Sequence, residues 1–464
     1  MRDLLLLVIL LASVPVVLYR PWVGILLWYW VGLMNPHRLT WGFMYDFQIA
    51  MLVAVVTLVG LIIAKDREPP PFTREVFLLC AFGAWVTMTT YFAWVPDAAW
   101  EYWQQFMKIL LFTVLTPILI HGRRRVELLF IVVAGSIAFY GLKGGVHFVS
   151  TGGGGHVLGP ARSFISGNTN LGLALVMVLP LVLVLSRQFL QGRLTCLPTW
   201  RWSRFAGWGG YATFWFTTLA ILGTYSRGAF LGLVAVAPFI LLKMQRKVLF
   251  SIVALFAVFV IGVTVPDRVV ERAETIQAYE EDNSAMSRLQ AWNVNWNIAA
   301  ENPLTGAGFS LVLMGNERWL SYADFEGDWR RTARAAHSIY FQVIGHHGFV
   351  GLGIYLALLG AVVATLCKLM WRARRSTETV WISEYAWALL IGIVGYAVAG
   401  AFLDMAYFTL FYAFVGLTII LRREYMYAVG EQRVVNKVNL PTVAEADSSE
   451  GAQPGLANRE QSRI

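Results

Sequence analysis

One histidine of this chain stands where proton-transfer chemistry would be useful. His337 lies in the stretch AAHSIYFQVIGHHG, where a long polar segment gives way to an apolar run. A neutral imidazole at the outer end of a membrane span can act as a general base toward a hydroxyl group. A histidine at that place can also simply bond to backbone or to a lipid headgroup. From the residues alone, both roles stay open.

Two further histidines follow in the same run, and we predict that they are packing residues. On a helix of 100° per residue, His346 falls on the face opposite His337, and His347 falls to one side. Gly348 returns almost to the His337 face and is predicted to leave room for a neighbouring helix. The stretch has no histidine pair at a spacing of three or four and no carboxylate one turn from His337. We therefore predict no metal site and no cofactor.

Three arginines on the predicted exterior side are candidates for binding phosphate. Arg162 follows the glycine-rich segment STGGGGHVLGPA, Arg227 lies in GTYSRGAFLGL at a tight turn, and Arg288 heads an amphipathic helix. The planar guanidinium group pairs with phosphate through two hydrogen bonds and stays charged. Together they are predicted to hold a lipid-linked pyrophosphate. Taken singly, each could instead reach toward headgroups or pair with a loop carboxylate.

The composition places most of the chain in a bilayer. Of 464 residues, 57% are hydrophobic and 14% are charged, and the mean hydropathy is +0.59. A soluble protein cannot bury that much apolar surface. Apolar runs predict transmembrane helices near residues 47–64, 75–94, 105–121, 127–148, 169–185, 209–224, 228–242, 248–265, 338–367, 385–403 and 405–421.

The net charge of +9 comes from basic residues in the short links between these runs, as in GRRRVE, KMQRK and KLMWRARR. Such links are typical of cytoplasmic loops, so we expect no nucleic-acid partner. Residues 1–35 hold two apolar stretches broken by Arg20-Pro21. Counting both as full spans would put the arginine-rich links on alternating sides. We therefore predict one kinked span, or a span plus an interfacial segment, with both termini in the cytoplasm.

The predicted fold is an all-α integral membrane protein of about twelve transmembrane helices with one large, partly helical periplasmic loop. In that loop, RLQAWNVNWNIAAE places Leu289, Trp292, Trp296 and Ala299–Ala300 on one helical face. The predicted regions are 1–265 (about nine spans), 266–336 (the loop), 337–424 (about three spans) and 425–464 (a disordered cytoplasmic tail).

Two motifs carry a resemblance to a known family. The chain has Arg-x-x-x-Leu at Arg227–Leu231 and His-Ser-x9-Gly from His337 to Gly348, on either side of the large loop. It thereby resembles the O-antigen ligase (WaaL) and Wzy-type polymerase superfamily over most of residues 1–425. The segment from Lys143 to Asn170 is similar to the branch of O-glycosylation ligases associated with exosortase systems.

The resemblance implies a glycosyltransferase of GT-C-like architecture in the bacterial inner membrane, with its active site facing the periplasm. Such a ligase moves a glycan from undecaprenyl pyrophosphate to lipid A–core oligosaccharide, with inversion and without a metal. His337 would be the base, Arg227 and Arg288 would hold the pyrophosphate, and Arg162 is a third candidate.

A protein O-oligosaccharyltransferase and an O-antigen polymerase remain alternatives within the superfamily. A transporter of the lipid-linked glycan is less favoured, because the charges gather at the exterior ends of spans instead of the midplane. Asp404, between the last two apolar runs, has no predicted role.

Overall fold

The computed structural model describes residues 1–197, 202–244, 283–324 and 332–438, and the side chains of all of these except 283–284 and 431–438. These ranges contain helices and turns and no strand, which confirms the all-α class. The predicted span at 248–265 and the chain beyond 438 lie outside the described residues.

Fourteen α-helices lie in the described ranges. The first seven are α1 (Arg2–Tyr19), α2 (Pro21–Met34), α3 (Ile49–Ile63), α4 (Arg74–Tyr91), α5 (Pro96–Leu119), α6 (Arg123–Ser150) and α7 (Asn168–Leu190). The others are α8 (Ser203–Gly223), α9 (Arg227–Lys243), α10 (Asn283–Glu301), α11 (Asn316–Leu320), α12 (Ile339–Arg372), α13 (Val380–Gly400) and α14 (Thr409–Val438).

Five of these helices are long and apolar enough to cross a membrane: α1, α6, α7, α12 and α13. Two shorter apolar helices, α2 and α3, pack beside them. The long helices make the chain a multi-pass membrane protein. The centre of the bundle is formed by α7, α13 and the first half of α14, whose residues are almost all buried.

The basic links predicted to share one side of the membrane do meet at one end of the bundle, called here the arginine-rich end. A guanidinium nitrogen of Arg123 donates to the carbonyl of Arg193 at 2.8 Å, which joins the start of α6 to the segment after α7. Arg187 donates to the carbonyl of Lys243 at the end of α9, also at 2.8 Å. The opposite end, called the site end, holds the start of α9, the start of α12 and the connection between α13 and α14.

The N-terminal segment differs from its prediction. The Asp3 carboxylate at the start of α1 accepts the backbone N–H of Met44, ten residues beyond the end of α2, at 3.2 Å. The guanidinium of Arg125 lies 5.1 Å from the ring of Trp22, which places the Arg20-Pro21 turn at the arginine-rich end. Residues 1–35 therefore form an antiparallel hairpin, so the predicted single kinked span is wrong. The N-terminus lies at the site end.

The physical reason for this difference is in the turn itself. Arg20 is a basic residue in the turn between two apolar helices. The hairpin places it with the basic residues of the other short links, at the arginine-rich end. The prediction of a single span assumes that the N-terminus is cytoplasmic. Two helices with the N-terminus at the site end also keep every basic link on one side of the membrane.

The helix α12 is broken at Gly348, whose φ of 67° and ψ of −171° are not helical. Before the break, its first turns cross the site end of the bundle. They begin where Ile339 packs on Gly400 of α13 and reach α4, where His347 meets Thr89. After the break, the rest of α12 runs toward the arginine-rich end beside α4 and α13.

Loop helix α10 forms as predicted, but it buries only part of the predicted face. Its buried apolar side chains are Ala291, Val294, Ile298 and Ala299. Of the predicted face, Ala299 is buried, whereas Leu289 and Trp296 are exposed. The prediction followed the large side chains. Ala291, Val294 and Ile298 instead pack within the large loop, against Ala307, Leu311 and Trp319.

The C-terminal boundary also shifts, because α14 continues to Val438. The tail predicted to be disordered from residue 425 therefore begins as helix.

Candidate functional site

The centre of the candidate site is a pair that only the fold creates. The carboxylate of Asp404, in the connection between α13 and α14, holds His337 twice. One oxygen accepts the backbone N–H of His337 at 2.7 Å, and the other lies 3.1 Å from the ring nitrogen Nδ1. The imidazole is 45% exposed and the carboxylate 21% exposed. The pair is therefore fixed by the protein and still open to a substrate.

The backbone around His337 is held in an uncommon conformation. His337 has a φ of 48°, in the left-handed region that residues with a side chain rarely adopt. The indole N–H of Trp292 donates to the carbonyl of Ala336 at 2.8 Å, and the Trp292 ring stacks on Phe341 at 5.1 Å. Such strained residues persist only where their surroundings over-determine them, and they are concentrated at functional sites.

This geometry determines which ring nitrogen can take up a proton. With Nδ1–H donated to the Asp404 carboxylate, the lone pair of the ring is on Nε2. A carboxylate that holds a histidine in this way sets its tautomer and orientation and stabilises the imidazolium that forms during proton transfer. Such an arrangement can act as a positioned general base.

Arg227 is presented by a tightly bonded turn between α8 and α9. The side-chain amide of Asn168 donates to the carbonyl of Thr224 at 2.8 Å, which ties the turn to the start of α7. Tyr225 has a φ of 51°, and its hydroxyl donates to the carbonyl of Gly153. Ser226 then caps α9 by accepting the N–H of Ala229 at 3.2 Å. The exposed Arg227 is the first residue of that helix.

The start of α9 lies beside the connection that carries Asp404. A Cβ added to Gly228 would lie 3.3 Å from the Cβ of Phe402. The ring of Phe402 in turn lies 6.3 Å from that of Trp292. Arg227 and the His337–Asp404 pair therefore flank one short segment at the site end.

Arg288 reaches the same region from the loop. It stands one turn before Trp292 on nearly the same face of α10. Because Trp292 bonds to the residue before His337, this face of α10 is turned toward the His337 segment. The half-buried Arg288 thus belongs to the same neighbourhood.

The structure places Arg162 in a different neighbourhood. Its side chain is 69% exposed, and NH1 lies 3.6 Å from a carboxylate oxygen of Asp46. The same oxygen pairs with NH1 of Arg38 at 2.9 Å. Arg162 is therefore associated with the segment after α2, and no contact in the described part of the chain joins it to His337.

The packing roles predicted for the two deeper histidines are confirmed. His347 Nδ1 lies 2.6 Å from the hydroxyl of Thr89, and His346 Nδ1 lies 3.2 Å from the hydroxyl of Tyr407. Both rings are buried against Phe309. Within the described ranges, no group of three or more metal-ligating side chains is present.

The glycine of the histidine motif makes room for a loop, not for a helix as predicted. A Cβ at Gly348 would lie 2.6 Å from the carbonyl oxygen of Leu304, and Phe349 donates its N–H to the carbonyl of Pro303 at 2.9 Å. The backbone of the large loop therefore enters the break in α12.

Asp404 is the residue that sequence reasoning missed. It stands 67 positions after His337 and belongs to neither motif. The one signal was its position, a carboxylate between two apolar runs near a membrane face, where an ionisable group needs a partner.

Comparison with protein families adds two matches. Residues 212–356 match the family model described as O-antigen ligase, a range that contains Arg227, Arg288, His337 and Gly348. Residues 1–189 match a family of unknown function. No curated protein matches the chain.

Proposed function

We propose that this chain transfers a glycan from undecaprenyl pyrophosphate to lipid A–core oligosaccharide. The chain belongs to the O-antigen ligase and Wzy-type polymerase superfamily. In this proposal the reaction takes place at the periplasmic face of the bacterial inner membrane and inverts the anomeric configuration. The observation that carries the proposal is the His337–Asp404 pair, which lies beside Arg227 at one end of the bundle.

In the proposed reaction, His337 removes the proton of the acceptor hydroxyl through Nε2. The acceptor oxygen attacks the anomeric carbon of the donor glycan, and the bond between that carbon and the pyrophosphate oxygen breaks. The proton stays on the imidazolium, whose charge the Asp404 carboxylate stabilises. Undecaprenyl pyrophosphate leaves with the electron pair of the broken bond.

Arg227 and Arg288 would stabilise the negative charge that grows on the leaving pyrophosphate. Fixed cations aimed at developing charge are an effective form of transition-state stabilisation, and arginine can supply this without a metal. Arg162 was predicted as a third member of this set. It pairs with Asp46, which also pairs with Arg38, and this favours a separate role, so the proposal leaves it out.

The test is transfer by the purified protein in detergent, with undecaprenyl-pyrophosphate glycan as donor and rough lipopolysaccharide as acceptor. Ladder-bearing lipopolysaccharide is expected without added divalent cations. His337→Ala should lower the rate of transfer by about 10²- to 10⁴-fold, the usual contribution of a general base. His121→Ala is the matched control, since His121 lies at the arginine-rich end beside Asp66, and it should retain activity.

The acceptor is the part of the proposal that the test can overturn. Transfer only to protein would favour a protein O-oligosaccharyltransferase, and extension of the glycan on its lipid carrier would favour a polymerase. Full activity of His337→Ala would refute the assignment of the base.

A further inference from the structure

A second cationic cluster lies at the site end, in the segment between α2 and α3. The guanidinium groups of Arg38 and Arg162 share one carboxylate oxygen of Asp46, at 2.9 and 3.6 Å. These two arginines come from different connections, one after α2 and one after α6. With one carboxylate between two arginines, the cluster has a net charge of +1 and could accept a singly charged anion.

The conformation of Arg162 is not explained by its contact with Asp46. Its φ of 57° is in the left-handed region, which is costly for a residue with a side chain. The two side chains are 69% and 72% exposed, and exposed ion pairs contribute little to stability. A strained, exposed arginine therefore points to a ligand outside the protein.

Arg2 also approaches this segment and donates to the carbonyl of Leu39 at 3.3 Å, and the Asp3 carboxylate accepts the N–H of Gly42 at 3.1 Å, so these two side chains together add no net charge. Burial, followed by the charge of Arg38, lowers the pKa of His37, so this imidazole stays neutral near pH 7. The Nε of Arg38 is buried and has no hydrogen-bond partner among the described residues. The guanidinium of Arg38 also lies 4.8 Å from the ring of Tyr45, which orients it.

The same segment carries membrane-interface anchors. Trp41, Phe43 and Phe47 are all exposed, and exposed aromatic side chains of this kind sit at headgroup depth. Arg38 precedes Trp41 by three residues, and Asp46 directly precedes Phe47. A phosphate bound by this cluster would thus lie at the level of lipid headgroups.

A further cation stands just below this level. Lys143 is exposed on α6, beside the exposed Leu142 and one turn beyond Tyr140. The hydroxyl of Tyr140 donates to the carbonyl of Met34 at 2.5 Å, at the end of α2. A lysine in this position can extend its ammonium group up toward the headgroup region.

We propose that Arg38 and Arg162 form a phosphate-binding site for an anionic membrane lipid, separate from the pyrophosphate site assigned to Arg227. A phosphodiester with one negative charge matches the net charge of the cluster, and two guanidinium groups can bind its free oxygens in a bidentate manner. The site does not depend on the proposed transfer reaction, since none of its residues contacts His337 or Asp404 in the described structure.

The test is thermal unfolding of the full-length protein in a neutral detergent, with and without phosphatidylglycerol. Wild-type protein should be stabilised at low lipid concentration. Arg38→Gln/Arg162→Gln should need roughly ten times more lipid for the same shift, because each charge-assisted contact contributes to affinity. Arg318→Gln is the matched control. Arg318 is exposed at the same end and stacks on Trp94 at 4.1 Å, outside the cluster.

Three further measurements decide the outcome. Equal stabilisation of wild type and the double variant by phosphatidylglycerol would overturn the site. Equal stabilisation of wild type by inorganic phosphate, or by zwitterionic phosphatidylcholine, would overturn the assignment to an anionic lipid. Arg38→Lys/Arg162→Lys keeps the charge and should recover part of the affinity, which shows that loss in the glutamine variant does not come from misfolding.

Discussion

Replacing Asp404 by asparagine tests whether the carboxylate acts through His337. The asparagine oxygen can still accept the backbone N–H of His337, which now lies 2.7 Å from a carboxylate oxygen. Its amide nitrogen would then face Nδ1, where the second carboxylate oxygen now lies at 3.1 Å. Because an amide N–H donates, Nδ1 has to accept and the ring proton moves to Nε2. The nitrogen that must take the acceptor proton is then already protonated.

The expected loss follows from this change of tautomer. General-base catalysis contributes about 10²- to 10⁴-fold to a rate, which corresponds to about 3–5 kcal/mol of transition-state stabilisation. The kcat of Asp404→Asn should fall by an amount in that range, while the KM for the donor should change little. Stability should change by less than about 1 kcal/mol, because the backbone hydrogen bond is retained. Asp404→Ala should also lower the unfolding temperature, because the His337 N–H loses its acceptor.

The assay is the initial rate of ladder formation with undecaprenyl-pyrophosphate glycan and rough lipopolysaccharide. A double variant, His337→Ala/Asp404→Asn, should be no slower than His337→Ala alone, since a positioning residue has no effect without the residue that it positions. Two results would refute this reasoning: a kcat for Asp404→Asn within about threefold of wild type, or a further multiplicative loss in the double variant.

Other expected outcomes concern the leaving group, the break in α12 and the arginine-rich end. Arg227→Ala should lower kcat/KM for the donor by roughly 10- to 100-fold, as expected for a lost charge-assisted hydrogen bond. Arg227→Lys should recover only part of the lost kcat/KM. Steady-state kinetics with a varied donor concentration measures both effects. Gly348→Ala should lower the unfolding temperature by several degrees. A Cβ there would meet the carbonyl oxygen of Leu304 at 2.6 Å, and the backbone conformation of Gly348 is one that favours glycine. The control is Gly353→Ala on the same helix, where a Cβ has open space, and it should leave the unfolding temperature unchanged. The hydrogen bond from Arg125 holds the pKa of Asp66 in the folded protein below its ordinary value of 3.8. The Asp66 carboxylate therefore stabilises the fold at a pH above 3.8, and this stabilisation is lost as the pH falls through the pKa of Asp66 in the folded protein. The difference in unfolding temperature between wild type and Asp66→Asn should therefore be present at about pH 5 and close below about pH 4.

The sequence predicted well those features that depend on local pattern. Apolar run lengths identified the helices, and the basic links located the arginine-rich end. The two deeper histidines were correctly predicted to be packing residues, because they lie two or more turns into an apolar run. These successes share a cause: a helix and its buried face are determined over a few turns by side chains that are close in the chain.

Features that depend on lateral placement were not predictable in the same way. The sequence can predict that a loop lies on the exterior side, but it does not predict which flank of the bundle that loop occupies. Arg162 was therefore grouped with Arg227, although its partner is Asp46 in the segment after α2. The role of Asp404 depended on a contact with His337 across the α13–α14 connection, and neither residue shows this through its own neighbours in sequence.

The spacing of the histidine motif has a physical explanation in the crossing segment of α12. Gly348, where the helix turns beside α4, lies eleven positions after His337, which Asp404 holds at one side of the bundle end. Between them, Gln342 accepts the backbone N–H of Ala406 at 3.1 Å, so the crossing segment is bonded to the same connection that carries Asp404. A shorter or unbroken helix would move His337 away from the Asp404 carboxylate. The glycine thus positions the histidine, although the two residues lie at opposite ends of the segment.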